Sequence, residues 1–168
     1  MVCYTKLKIS APPLSLNHSI FTSHASYGLP VWGYANKILI NKVAKAQKKA
    51  IRAITFSKYR EHSAPLLKKL EILKLQDLLY LRTASLLWDL NNGTLPPSLS
   101  SYFTRANSIH MQNTRFANSG NLTICKEHNS FQSIGTKIFN ELNNKQSFSA
   151  PNKFSFINKI KSDFISSY

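Results

Sequence analysis

The sequence predicts a mostly α protein: a small helical bundle, then a polar connector, then a C-terminal helical segment. Three observations predict it. Residues 36–54 place apolar and basic side chains on opposite sides of a helical wheel. Residues 75–90 are leucine-rich on nearly every side, as in a buried helix. Gly93, Pro12, Pro13, Pro96 and Pro97 fall between such stretches and punctuate them.

The elements follow in chain order. Residues 1–13 form a leader that ends on the breaker Ala11-Pro12-Pro13. Leu14, Leu16, Ile20, Phe21, Ala25 and Leu29 recur at helical spacing and predict a helix over 15–29, closed by Pro30. Val31-Trp32-Gly33 reads as a turn with an aromatic anchor. Asn36 is the N-cap of the next helix. Its packing face is Ile40, Val43, Gln47, Ala50, Ile51 and Ile54, and its opposite face is Lys42, Lys45, Lys49 and Arg52.

Residues 57–63 read as a basic connector. Pro65 fits a first helical position and starts a short helix through Glu71. Leu75 to Leu90 is the central helix, stopped at Asn91-Asn92-Gly93. Residues 14–92 make the basic bundle and 93–130 the polar connector, with a short strand or hairpin around 118–121. The last segment, 131–168, holds a helix over 131–142 and an amphipathic helix. That helix carries Phe154, Ile157, Ile160, Phe164 and Ile165 on one side and Lys153, Lys159 and Lys161 elsewhere.

Charge narrows the partners. Lys and Arg total 22 against 7 Asp and Glu, a net +15 over 168 residues. Such an excess attracts polyanions, either nucleic acid or an anionic membrane surface. Alternating charge on a helix would mean a merely solvated face, but no acid lies between Asn36 and Arg60, so the stripe is unpaired within its own helix. Nucleic acid, as RNA, DNA or an RNA–DNA hybrid held through phosphates, is the expected partner. Lys58, Arg60, Lys68, Lys69 and Arg115 extend the candidate phosphate contacts. No membrane partner is expected, since no apolar run approaches the roughly 18 residues of a span. No signal peptide is recognised, and an intracellular location is expected, in the nucleus or a cytoplasmic ribonucleoprotein if the chain functions.

Catalytic chemistry is not expected. The acids Glu61, Glu71, Asp77, Asp89, Glu127, Glu141 and Asp163 each stand alone, without the clustered carboxylates of two-metal phosphoryl transfer. The histidines show no metal-binding helix spacing, and Cys125 with His128 is half a zinc site without its second pair. No catalytic residue, metal or cofactor is assigned. Trp32 and Trp88 read as core or turn anchors. Tyr59 and Arg60 could stack on a base; the competing reading is a plain surface turn.

An ordered series of motifs over about 20–164 resembles the thumb and C-terminal region of non-LTR (LINE-type, Jockey-like) retrotransposon reverse transcriptases. Ser23-His24-Ala25-Ser26-Tyr27-Gly28 with Val31-Trp32-Gly33 resembles the segment that follows their catalytic palm. Gln47-Lys48-Lys49-Ala50-Ile51-Arg52 and Tyr59-Arg60-Glu61-His62-Ser63-Ala64-Pro65-Leu66 are similar to the motifs after it. Leu70 to Leu78, with Leu75, continues the series, then Leu95-Pro96-Pro97-Ser98-Leu99, His110 with Asn113-Thr114-Arg115, and the closing Phe156 to Lys161. The resemblance implies a non-catalytic piece that grips template–primer backbone, derived from an RNA-directed DNA polymerase, with a separate palm-containing polypeptide as a further partner. It departs from the pattern at Gln112, where tyrosine is expected, and at Thr136 and Asn143, where prolines are. The palm and its aspartates are missing, and residues 1–13 do not match. The alternative implied by those departures is an inactive translated retroelement remnant.

Overall fold

The computed structural model describes residues 21–34, 36–109, 114–124 and 130–168. The described residues are mostly helical: α1 (Ser23–Ser26), α2 (Leu29–Trp32), α3 (Lys37–Ile54), α4 (Ser63–Lys69), α5 (Leu75–Asn91), α6 (Pro97–Ser100), α7 (Ala106–Ile109), α8 (Arg115–Asn118), α9 (Phe131–Asn144) and α10 (Lys153–Ser166). A 3-10 turn, Ser147–Ser149, joins the last two.

Helix α5 is the hub. It packs against α1, α2, α3, α9 and α10. Leu75, Leu78, Leu81, Ala84, Leu87 and Trp88 are buried along it, as an apolar, all-round helix requires. Trp88, Phe139, Phe148 and Phe156 meet with ring centroids 4.8 to 6.2 Å apart, so α5, α9, the 3-10 turn and α10 close on one aromatic cluster. The core therefore runs through residues from both ends of the described chain, Ala25 to Ile160.

Local chemistry sets several ends. The Asn36 side chain accepts from the Ile38 N–H at 2.9 Å, capping α3. Ser130 and Asn152 cap α9 and α10 in the same way. Helices α3, α4 and α5 share one C-terminal device. After α3, the Ser57 N–H donates to Arg52 O at 3.0 Å and the Phe56 N–H to Ala53 O at 3.3 Å. After α4, Ile72 donates to Leu67 O and Glu71 to Lys68 O, both at 3.0 Å. After α5, Thr94 donates to Asp89 O at 2.9 Å and Gly93 to Leu90 O at 3.3 Å. Each is a Schellman ending, with a left-handed residue just past the cap. That residue is Phe56 (φ 53°), Glu71 (φ 53°) and Gly93 (φ 71°) in turn.

Several sequence expectations are corrected. The 15–29 helix does not run unbroken to Pro30: residues 15–20 lie outside the described residues, and the chain breaks at Gly28, whose φ is 59°. Pro30 then sits in the first turn of α2, where its missing N–H costs nothing, so Val31 and Trp32 are helical rather than a turn. Helix α4 begins at Ser63 and ends at Lys69, because Glu71 turns left-handed; Pro65 is not its first residue. The hairpin around 118–121 reduces to helix α8, a turn at Gly120, and one isolated antiparallel bridge between Arg105 and Leu122. The Asn140 side chain takes the place of a further strand. Its amide donates to Leu122 O at 2.9 Å and its carbonyl accepts from the Leu122 N–H at 2.8 Å. In α10, Phe154 is 74% exposed and Phe156 is the buried anchor. Phe156, Ile160 and Phe164 step by four along one side, and Phe154 lies across the helix from them.

Candidate nucleic-acid interface

Helix α3 divides as its periodicity requires. Ile40, Gln47 and Ile51 are buried, with Val43, Ala50 and Ile54 half-buried beside them. Gln47 is 3% exposed, yet polar. Its side-chain nitrogen donates to Leu73 O at 2.8 Å and its oxygen accepts from the Leu75 N–H at 3.0 Å. It thereby satisfies the orphan backbone groups where α5 begins and locks α3 to the hub. Further along, Ile51 packs with Leu67 and Ile72, which holds α4 against α3.

The outer face is cationic. Lys42, Lys45 and Lys49 are exposed, and so are Lys37 and Lys48, which widen the four-residue line read from the sequence. Among the described residues no carboxylate forms an ion pair with any of them; the pairs found are Lys145 with Glu141 and Lys153 with Asp89. Arg52 is different. It is half-buried, and its Nε donates to Glu61 O at 2.8 Å, so it braces the following connection. Lys58 and Arg60 are exposed in that connection. Lys69 is exposed on α4, whereas Lys68 Nζ donates to Ser166 O at 3.2 Å at the C-terminal end of α10, where a cation meets the negative end of the helix dipole. Arg115 is exposed on α8, outside the group on α3 and α4.

The motif residues serve the scaffold. Trp32 Nε1 donates to Tyr27 O at 2.8 Å across the Gly28 break, while the Tyr27 ring is exposed. Gly33 is buried so tightly that a Cβ would lie 2.5 Å from Leu29 O and 2.6 Å from Leu79 Cδ1. Leu75 is buried. His24 and His62 are exposed, His62 at the start of α4 and Pro96 at the start of α6. His110, like Cys125 and His128, lies outside the described residues.

No family model, curated protein or solved structure matches this chain.

Asp77, Asp89 and Glu141 are engaged away from the outer face of α3. Asp77 accepts from the Tyr168 hydroxyl, which itself accepts from the Lys74 N–H at 2.9 Å, with Lys74 Nζ 3.7 Å above the Tyr168 ring. Burial and then the Asp77 hydrogen bond push the Tyr168 hydroxyl well above the ordinary tyrosine range. Tyr80 is pushed up to about 12 by burial and then by the Glu141 carboxylate. Burial also raises Tyr34, partly offset by its hydrogen bond to Thr83. Among the described residues no three His, Cys, Asp or Glu side chains converge as a metal site. Likewise, no helix among them is long and apolar enough to cross a membrane.

Sequence reasoning passed over Phe56. The sequence carries no local signal for it, since a helix end without glycine need not turn left-handed.

Proposed function

We propose that the chain is a non-catalytic nucleic-acid-binding segment, akin to the thumb of a retrotransposon RNA-directed DNA polymerase, that holds a template–primer duplex by its backbone. One observation carries this reading: Lys42, Lys45 and Lys49 stand exposed and free of ion pairs on the outer face of a helix whose inner face is locked into the core. Cations held on a rigid helix displace the counterions condensed on nucleic acid, which rewards binding without reading sequence. Nearly fifty residues of ordered motif resemblance around α3 and α4, roughly 20–66, point the same way.

The test is a salt series on an RNA–DNA hybrid. With about four phosphates neutralised, the log–log slope is roughly −3.6, and affinity falls on the order of 100-fold between 50 and 200 mM salt. Lys45→Ala with Lys49→Ala flattens the slope by about 1.8. An unchanged slope removes α3 from the interface.

A second reading, an inactive retroelement remnant, draws support from an open apolar groove of about 390 Å³ lined by Pro30, Val31, Leu95, Leu99, Tyr102 and Phe131. Uncovered apolar surface of this kind favours self-association. Aggregation together with absent hybrid binding at low salt selects it.

A further inference from the structure

We propose that the connection between α3 and α4 is a stacking site for an unpaired base of a nucleic-acid strand, with Phe56 and Tyr59 supplying the aromatic faces and Lys58 and Arg60 the phosphate contacts. This rests on the nucleic-acid reading of α3 and extends it from duplex backbone to single strand.

Phe56 is the pivotal residue. It occupies the left-handed position of a Schellman ending, φ 53°, which favours glycine and strains a bulky side chain. Its ring is nevertheless 72% exposed, so burial does not compensate the strain. The same device uses Gly93 after α5 and the smaller Glu71 after α4. At Phe56 a bulky ring takes this position with no packing to offset the strain. Tyr59, three residues on, is 80% exposed.

The charges around these rings select the ligand. Lys58 and Arg60 are exposed, and Arg52 braces the connection through Glu61 O. The nearby carboxylate, Glu61, is engaged locally: its Oε2 accepts from the Lys58 N–H at 3.2 Å. The Thr55 hydroxyl, bonded to Ile51 O at 2.8 Å and to Ser57 Oγ at 2.8 Å, holds the first residues of the connection in place. Flat apolar faces among cations match a strand that alternates flat bases with phosphates, since base–aromatic stacking adds to the electrostatic term without sequence preference. An acidic polypeptide would satisfy the cations and leave the rings unused.

The experiment compares a blunt RNA–DNA hybrid with the same hybrid bearing a short single-stranded overhang, at 50 mM salt. The wild-type chain binds the overhang form about tenfold more tightly. Phe56→Gly and, separately, Tyr59→Ala abolish most of that advantage while leaving blunt-hybrid affinity and its salt slope unchanged. Phe56→Gly also keeps or raises the melting temperature, which a structural role for the ring would lower. Tyr59→Phe retains the advantage. Equal affinity of wild type for both hybrids, or an undiminished advantage in both ring-removing variants, overturns the stacking site and leaves the backbone reading standing. Equal losses on polyglutamate would assign the surface to an acidic polypeptide and also overturn it. No binding to either hybrid removes both proposals.

Discussion

Helices α3 and α5 are nearly the same length, 18 and 17 residues, but the chain uses them in opposite ways. Helix α5 buries side chains all round and is touched by five other helices. Helix α3 buries a strip and leaves five lysines in solvent. Both end on a Schellman turn, yet one ends on glycine and the other on phenylalanine. The difference separates two demands. The hub residues answer to stability, whereas the outer face and the end of α3 keep features that stability does not ask for: unpaired cations and a strained exposed ring.

Mutations should divide along that line. Leu87→Ala, at a fully buried hub position, removes contacts the neighbours cannot restore and should cost about 3 kcal/mol. Chemical denaturation measures this; a loss below about 1 kcal/mol would mean that the hub is loosely packed. Gln47→Leu should cost about 2 kcal/mol although it adds apolar surface, because Leu73 O and the Leu75 N–H lose their buried partners. A neutral result would place water where the amide now sits. Lys45→Ala with Lys49→Ala should stay within about 0.5 kcal/mol of wild type in stability while changing the binding slope, and a large destabilisation would erase the contrast between the helices.

The helix ends give a smaller, signed comparison. Phe56→Gly should stabilise by about 1 kcal/mol, and Gly93→Ala should destabilise by about the same amount, since both act on a left-handed residue. Equal signs for the two would show that side-chain contacts, not backbone conformation, control one of the ends.

The smallest effect is alkaline. Tyr80 ionises near pH 10 when unfolded and near 12 when folded. Between those values the unfolded chain releases a proton that the folded chain retains. The stability this contributes is present below pH 10 and is lost as pH rises through about 12. Tyr168 shifts in the same direction. Tyr80→Phe should therefore flatten the loss of melting temperature between pH 10 and 12; an unaltered profile would remove Tyr80 as its source.

Much of this division was legible beforehand. The two faces of α3, the Asn36 cap, the all-round burial of Leu75 to Leu90 and the stop at Gly93 all follow from spacing and cap chemistry. Those signals are local, since a 3.6-residue repeat is set by the backbone itself. The misreadings occurred where local signals compete. Pro30 can close one helix or open the next, and only the position of Gly28 decided for opening. The spacing puts Phe154 on the apolar side of the last helix, and the phase of α10 against Trp88 chose Phe156 instead.

The sequence by itself determined a mostly α chain, a strongly basic surface and which side of α3 faces outward, because each depends on composition or on neighbours within a few residues. Tertiary structure alone decided which cations remain free. Arg52 and Lys68 are bound to carbonyls 9 and 98 residues away, while Lys42, Lys45 and Lys49 are not. It also decided which backbone groups Gln47 satisfies and that Phe56 stands out in solvent. Those outcomes depend on where distant backbone groups come to rest, and a buried polar group or a strained turn has its energy set by those partners rather than by its own identity.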